Sequence, residues 1–332
     1  MWKTLIRAGE TARAESLVAA FRAVRPDTAW LAMLQLMLAC VQRGPGSVDW
    51  SAMSRRSPAA VLEAARASAV GLRHPGCAEP GLRALLALRP DDPSLGGIHW
   101  GALLVLQGLL VGEGRLADAR AALNAAYARG TSAVLRIYLV DAGLGVGTDS
   151  GASRAAAAVR AKWRLAETPT PSLWDLGLWA WRRRDEARLD SIVTALAVRL
   201  PRGDPRDSAV WNGMAGRALL LRDDTTAAMT RLAAVRAVGS TRDIAWDVCA
   251  PAAEERLLLA RLLLARRDHE RAAAVAAAFD LPGPVAFLPR VAAAVEIRTA
   301  AARAMGQVRA VAGYAARLAE IGRASKAGAR SE

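Results

Sequence analysis

The feature that most constrains this chain is a helix–turn–helix pattern that recurs along its length. In the clearest copy, His99 to Gly130, an apolar helix ends at a glycine turn and an alanine-rich helix follows. Leu103, Leu106 and Leu110 share one face of the first helix, and Gly114 stands at the turn. Because such a pair cannot bury its apolar face alone, it must stack on a neighbouring pair. The pattern predicts an all-α fold of antiparallel helix pairs.

Four further turns follow the same pattern in the second half of the chain. They lie at Arg184, Asp223, Arg267 and Gly306 and are separated by 39, 44 and 39 residues. Repeats built from helical hairpins have periods of about 34 to 47 residues. The spacing therefore favours an array of roughly six to eight helical hairpins.

Composition agrees with helix and argues against a nucleic-acid surface. The chain is 53% hydrophobic but only 5% aromatic, and alanine, leucine and arginine dominate, all of which are strong helix formers. The formal net charge of +14 comes almost wholly from arginine. A nucleic-acid footprint needs basic residues that cluster. Here they are scattered, and the densest run is only Arg182-Arg183-Arg184. A solvated basic surface is the favoured interpretation.

The cysteines and apolar stretches predict a cytoplasmic location. Cys40, Cys77 and Cys249 are few, odd in number and far apart, which is typical of buried free thiols in a reducing compartment. No signal-type apolar core precedes Glu10. The longest apolar stretches, 29–41 and 101–112, are shorter than the roughly 20 residues that cross a bilayer.

These segments resemble degenerate tetratricopeptide repeats. Leu176-Gly177 matches the leucine and small residue of the family's first helix, and Gly114 matches its turn glycine. Ala119, Ala228 and Ala272 match the central alanine of its second helix. The resemblance implies a right-handed superhelical solenoid whose first helices line an inner groove.

The Arg-Asp turns and the run Pro282 to Val285 are also similar to C-terminal repeat regions of bacterial signalling proteins. In those proteins a kinase or transcription-activator domain lies upstream. The chain opens inside a repeat, so an upstream domain of the same parent protein is an expected partner. We expect one solenoid over 1–322, looser loops near 43–56, 72–96 and 142–151, and a flexible basic tail over 323–332.

No sequence motif indicates a catalytic, cofactor-binding or metal-binding site. Leu135 to Asp141 followed by Gly143, Gly145 and Gly147 resembles a strand that enters a phosphate-binding loop. It lacks both the third glycine of a dinucleotide fingerprint and a neighbouring strand–helix alternation, so we expect an inter-helix loop. His74 and Cys77 have ligand-like spacing but no second pair. The sequence predicts no catalytic residue, no cofactor and no metal.

Ten tryptophans suggest a binding surface. The tetratricopeptide register places six residues on the inner groove: Leu104, Trp174, Trp181, Arg182, Arg217 and Arg261. An apolar groove edged by arginine suits an amphipathic or acidic peptide. The alternative is that the tryptophans pack in the core and the arginines are merely solvated.

Three functions remain open from the sequence. The favoured hypothesis is a protein- or peptide-binding scaffold without enzymatic activity, the interaction region of a larger bacterial signalling protein. An arginine-rich nucleic-acid binder is the second hypothesis, and it predicts strongly salt-dependent association with DNA or RNA. An enzyme without a recognisable motif is the third and least favoured.

Overall fold

The fold of the chain is known from a computed structural model. It describes residues 5–6, 10–24, 29–72, 75–89, 92–127, 137, 139, 144, 146–162, 164–237, 249, 252–280 and 284–328. Regular structure in these residues is helical throughout, and none of them lies in a strand. The all-α prediction is confirmed.

Sixteen α-helices lie within the described residues. In chain order they are α1 Thr11–Val24, α2 Ala29–Arg43, α3 Trp50–Arg56, α4 Pro58–Arg66, α5 Pro75–Leu86, α6 Gly96–Gly112, α7 Leu116–Tyr127, α8 Asp149–Lys162, α9 Thr170–Arg182, α10 Glu186–Ala197, α11 Pro205–Leu221, α12 Thr225–Ala234, α13 Ala253–Ala265, α14 His269–Ala276, α15 Val291–Ala304 and α16 Val308–Gly328. Short 3₁₀ turns link several of them, and a π-helical segment, Ala67–Leu72, continues α4.

The chain divides into two compact units, Met1–Leu109 and Leu110–Glu332. In the first unit α2, α4 and α5 pack on one another, while α3 packs on α4 and α5. Trp50, at the start of α3, is 7% exposed and lies over Gly81 of α5. A Cβ at Gly81 would stand 3.0 Å from Trp50 Cε3, so glycine permits this close approach.

The second unit contains four successive helical hairpins, α9–α10, α11–α12, α13–α14 and α15–α16. The two helices of each hairpin contact each other, and the second helix of each contacts the first helix of the next. First helices also contact first helices, as α9 does α11 and α13 does α15. This serial packing is compatible with the predicted helical-repeat array.

The predicted turns share one backbone geometry. One residue in each has a positive φ: Gly114 (76°), Arg184 (54°), Asp223 (61°), Arg267 (62°) and Gly306 (69°). The amide that follows it donates to the carbonyl five residues earlier, at 2.8–3.0 Å in all five turns. That bond closes a left-handed helix cap and satisfies a carbonyl that the helix end would leave unpaired. The turn positions read from the sequence are confirmed.

Aspartate starts the second helix in three of these hairpins. The side chains of Asp185, Asp224 and Asp268 accept hydrogen bonds from amides three residues later, at 3.1, 3.0 and 3.4 Å. Aspartate is a favoured N-cap because its oxygen satisfies an amide that lacks an intrahelical partner. These aspartates therefore cap the N-termini of α10, α12 and α14.

Small residues allow the helices to approach closely. Ala119, Ala228 and Ala272 are fully buried in the second helices, at 0% exposure. On α9, a Cβ added to Gly177 would collide with Sδ of Met214, which is itself fully buried on α11. The small residue of the Leu176-Gly177 pair therefore sets the distance between two first helices.

Two of the expected loops contain helices. Residues 43–56 contain α3, which begins after an Asp49 N-cap that accepts from Ala52 N at 2.9 Å. Residues 72–96 contain the whole of α5. Pro75 stands at its first residue, where proline is tolerated, although Pro80 lies inside it. The sequence-based expectation gave glycine and proline too much weight as helix breakers.

The other expected irregular segments are partly outside the described residues. In 142–151, α8 begins at Asp149, and positions 142, 143 and 145 are not described. In the tail 323–332, α16 continues to Gly328 because alanine, lysine and arginine favour helix, and 329–332 are not described. One array over 1–322 stays a prediction.

Two of the three cysteines form a disulfide. Cys40 of α2 and Cys77 of α5 are bonded across a Cα–Cα distance of 5.8 Å, and both are buried. The prediction of three free thiols is wrong for this pair, because distance in sequence does not exclude contact between helices that pack together. It is confirmed for Cys249, which is free and buried.

One helical stretch among the described residues is long and apolar enough to cross a membrane. It is Pro93–Gly112, of 20 residues, and 61% of its apolar window is buried inside the protein. Core helices of proteins without a membrane span pass the same test, so the stretch is weak evidence for one.

Candidate interaction site

The tryptophan-rich helix α9 turns two of its indoles into the interior. Trp174 is 1% exposed and Trp179 is 5% exposed, whereas Trp181 is only partly buried. The core interpretation therefore holds for Trp174 and Trp179. Among the six predicted groove residues, Trp181 is the tryptophan that solvent reaches.

Trp174 belongs to a buried polar junction centred on Glu255. The indole Nε1 of Trp174 donates to Glu255 Oε1 at 3.0 Å, and Arg217 Nη1 donates to the same oxygen at 2.7 Å. Arg217 Nη1 also donates to the carbonyl of Gly213 at 3.1 Å. The side chains of Arg217 and Glu255 are only 2% and 3% exposed. We call Trp174, Arg217 and Glu255 the Glu255 junction.

The backbone beside this junction is shaped to admit the carboxylate. A Cβ at Gly213 would lie 2.9 Å from Glu255 Cγ and 3.0 Å from its Oε1. Glycine at this position leaves room for the glutamate between the helices. Trp174, Arg217 and Glu255 come from α9, α11 and α13, so the junction joins the first helices of three successive hairpins.

A second carboxylate on α13 forms its own ion pair. Arg290 Nε donates to Glu254 Oε1 at 2.8 Å, and Arg290 Nη1 donates to the Ala286 carbonyl at 2.7 Å. Burial raises the pKa of Glu254, but the charges of Arg290, Arg217 and Arg261 lower it by more, so its pKa lies below the ordinary value. Glu254 therefore stays ionised beside three arginines.

The remaining predicted groove residues do not gather at one place. Leu104 is 6% exposed and belongs to the core of the first unit. Arg182 is exposed and its Nη2 donates to Asp149 Oδ1 at 3.0 Å. Arg261 is also exposed. The structure brings together Trp174 and Arg217, and the groove stays a prediction for Trp181, Arg182 and Arg261.

A cleft of about 520 Å³ opens between α8, the turn that follows it, α9 and α10. We call it the arginine cleft, because three of its lining residues are arginines. It is lined by Arg160, Arg164, Leu165, Thr168, Leu176, Asp185, Ala187, Arg188, Ser191 and Ile192. Its volume falls within the range of about 300 to 1,000 Å³ that is usual for ligand sites.

The rim of the arginine cleft is basic. Arg160 and Arg164 are exposed, and neither side chain forms an ion pair with any described residue. Arg188 Nε lies 3.5 Å from Asp185 Oδ2, in a pair whose side chains are both about 40% exposed. The cleft therefore carries three arginine charges against one carboxylate.

The floor of the cleft is apolar. Leu176 and Ile192 are 2% and 1% exposed and close its base, while Leu165 on the rim is 37% exposed. An apolar floor beneath a few positioned polar groups is typical of binding sites. The lining residues before α9 and those of α9 and α10 were not connected by the sequence interpretation. The closely spaced Arg160 and Arg164 were the available signal.

A second cleft, of about 460 Å³, lies between α1 and α2 in the first unit. Its charged lining residues have both signs: Glu15 is negative, and Arg22 and Arg43 are positive. Gln35 and Gln42 supply further polar groups. This balance gives it less charge selectivity than the arginine cleft.

The structure describes only part of the sequence motifs that suggested a phosphate-binding loop or a metal site. Ile137 and Leu139, within the suspected strand, are helical, while Gly143 and Gly145 lie outside the described residues. His74 also lies outside them. Among the residues that the structure describes, no group of three or more histidine, cysteine or acidic side chains is placed to hold a metal ion.

Comparison with known proteins adds no relative. No protein-family model matches the chain, and no curated protein matches it.

Proposed function

We propose that this chain is a protein- or peptide-binding scaffold, built as a tetratricopeptide-like, right-handed superhelical array and without catalytic activity of its own. The observation that carries the proposal is the series of four hairpins with one turn geometry, each packed on the next. Serial helix pairs present an extended surface with clefts between neighbouring pairs, which is how helical-repeat proteins bind their partners. The arginine cleft, between α8 and the hairpin α9–α10, is the site that we assign to the partner.

The distribution of charge supports a protein partner over a nucleic acid. Several arginines of the second unit are engaged by acidic side chains, as Arg222 is by Glu186 and Arg290 by Glu254. Arg298 and Arg317 share Asp280. Interspersed charge of this kind disfavours the continuous basic stripe that follows a phosphate backbone.

The wider biological setting is also part of the proposal. The resemblance to repeat regions of bacterial signalling proteins makes an attached kinase or activator domain a candidate partner. Disulfides such as Cys40–Cys77 persist mainly in oxidising compartments. The proposal therefore includes no cytoplasmic location.

A peptide-display screen against the intact chain tests the proposed function. Selected peptides should bind saturably at one site per chain and should compete with one another in fluorescence anisotropy. If no peptide from a diverse library binds saturably, the proposal is contradicted. Preferential retention of duplex DNA or RNA, weakening steeply with added salt, would favour the nucleic-acid hypothesis instead.

A further inference from the structure

We propose that the arginine cleft binds an acidic, amphipathic peptide segment, with its carboxylates on Arg160 and Arg164 and an apolar side chain over Leu165. This inference rests on the proposed function and names the class of partner. It differs from the groove predicted on the other face of α9, because the cleft uses Leu176 rather than Trp174 and Trp181.

The charge of the rim argues for carboxylates. Arg160 and Arg164 are four residues apart in sequence, are exposed and lack an acidic partner among the described residues. Some other exposed arginines of the second unit, such as Arg182 and Arg222, are instead paired with aspartate or glutamate. Guanidinium groups bind carboxylates through two parallel hydrogen bonds, which gives both energy and orientation.

The floor of the cleft argues for a peptide rather than a bare anion. Leu176 and Ile192 form an apolar base, and Leu165 leaves 37% of its surface exposed at the rim. A small inorganic anion would leave this apolar surface in water, whereas an apolar side chain of a peptide would cover it. Acidic residues that flank an apolar residue therefore match the cleft in both charge and shape.

The same features disfavour a nucleic-acid strand. Asp185 lies at the cleft and repels phosphates, and the apolar floor offers a backbone no hydrogen bonds. Asp185 is already engaged, since its Oδ1 accepts from Arg188 N at 3.1 Å and its Oδ2 faces Arg188 Nε. A peptide can pair its carboxylates with Arg160 and Arg164, which have no acidic partner among the described residues.

The test uses the full chain and two short fluorescent peptides. In one peptide leucines alternate with glutamates, and in the other each glutamate is replaced by glutamine. Anisotropy titrations compare wild type with the double variant Arg160→Glu/Arg164→Glu. The charge-matched control is Arg303→Glu/Arg309→Glu, whose arginines are equally exposed and form no ion pair with described residues.

We expect wild type to bind the acidic peptide at least about tenfold more tightly than the glutamine peptide, because two charge-assisted pairs are lost. The cleft variant should weaken binding of the acidic peptide by about tenfold or more. The control variant should weaken it less than about twofold. Because all four substituted arginines are exposed, thermal unfolding should show both variants folded.

Leu165→Ser tests the apolar contact separately. It should weaken binding of the acidic peptide by about threefold to tenfold, since the 37% of Leu165 that is exposed in the free chain would be covered in the complex. Because the rest of the side chain is already buried, thermal unfolding should also show some loss of stability, with the variant still folded at the temperature of the titration. An unchanged affinity would show that the peptide does not cover Leu165 and would overturn the assigned pose.

The outcomes separate this inference from the proposed function. Equal binding of both peptides, or equal loss in the cleft and control variants, overturns the acidic-peptide assignment. In that case the scaffold proposal is still supported if the display screen finds any other peptide that binds saturably. If neither these peptides nor the screen gives saturable binding, both proposals fall. Preference for duplex DNA over the acidic peptide, abolished in the cleft variant, would assign the cleft to nucleic acid.

Discussion

Glu255 lies in the interior of the second unit and is paired there with an arginine. One of its oxygens accepts from both Trp174 and Arg217, and its side chain is 3% exposed. A charge that is removed from water is tolerated only when partners replace the water. The contribution of Glu255 is therefore best seen when its charge is removed while its shape is kept.

Glu255→Gln should lower the free energy of unfolding by about 3 kcal/mol, because it removes the carboxylate that accepts directly from the buried Arg217 guanidinium. Urea unfolding followed by far-UV circular dichroism measures the loss. Glu186→Gln is the matched control, since its pair with Arg222 is nearly half exposed on both sides. The control should cost less than about 1 kcal/mol. Equal losses in the two variants would contradict the buried-charge account.

Glu254 makes the second unit sensitive to acid. Burial raises its pKa and the neighbouring arginines, Arg290 first, lower it by more, so the folded pKa lies below the ordinary 4.5. A depressed folded pKa gives stability that is complete above the unfolded value and is lost as pH falls toward the folded one. The unfolding free energy should therefore decrease below about pH 4.5, and Glu254→Gln should flatten that decrease. The same slope in both proteins would contradict this assignment.

At the scale of elements, the five turns between paired helices share one backbone geometry but have different residues at the left-handed position. Glycine occupies the left-handed position in two turns, and Arg184, Asp223 and Arg267 occupy it in three. A residue with a Cβ is strained in this conformation, whereas glycine is not. The hydrogen bonds that close the turns are nevertheless the same. The strain is therefore a local cost of the residue type rather than of the fold.

Arg184→Gly and Arg267→Gly should each stabilise the protein by about 0.5 to 1 kcal/mol, because relief of strain exceeds the added chain entropy of glycine. Gly306→Ala should destabilise it by about 1 to 2 kcal/mol through strain alone, since a Cβ there meets no other atom within 4 Å. Thermal unfolding of the three variants measures all the effects. A gain in Gly306→Ala, or losses in both arginine variants, would contradict the turn geometry.

Sequence reasoning succeeded where structure is set by neighbours along the chain. The turns at 114, 184, 223, 267 and 306 and the caps at Asp185 and Asp224 follow from local hydrogen bonding, which residue type reveals. It failed for α3 and α5, where tertiary packing outweighs the breaking tendency of glycine and proline.

The candidate site was less predictable than the turns. The register assigned Trp174 and Arg217 to an inner groove, but it could not show that both are buried and donate to a glutamate on α13. The arginine cleft joins α8 to α10 across more than twenty intervening residues. Such contacts depend on how helices pack, which a helical period alone does not specify.

At the scale of the molecule, each unit has its own means of holding helices together. The first unit has a covalent link between α2 and α5 across 37 residues of sequence. The second unit has the serial contacts of its hairpins and the Glu255 junction. A disulfide stabilises mainly by restricting the unfolded chain, more so when it closes a longer loop.

Alkylation of the denatured, unreduced protein should detect one thiol, Cys249, and prior reduction should raise the count to three. Removing the bond in Cys40→Ala/Cys77→Ala should lower the stability of the first unit by about 3 kcal/mol. Cys249→Ala is the control for losing a buried sulfur without losing a crosslink. Three reactive thiols before reduction would contradict the disulfide and restore the reducing-compartment interpretation.

The central structural claim is that the hairpins from α9 to α16 stabilise one another, and that the first helices of three of them are joined at the Glu255 junction. Hydrogen–deuterium exchange of wild type and Glu255→Gln tests it most directly, because it reads protection helix by helix. The account predicts that amides of α9, α11 and α13 lose protection together in the variant. Loss confined to α13, with α9 and α11 protected as in wild type, would contradict it.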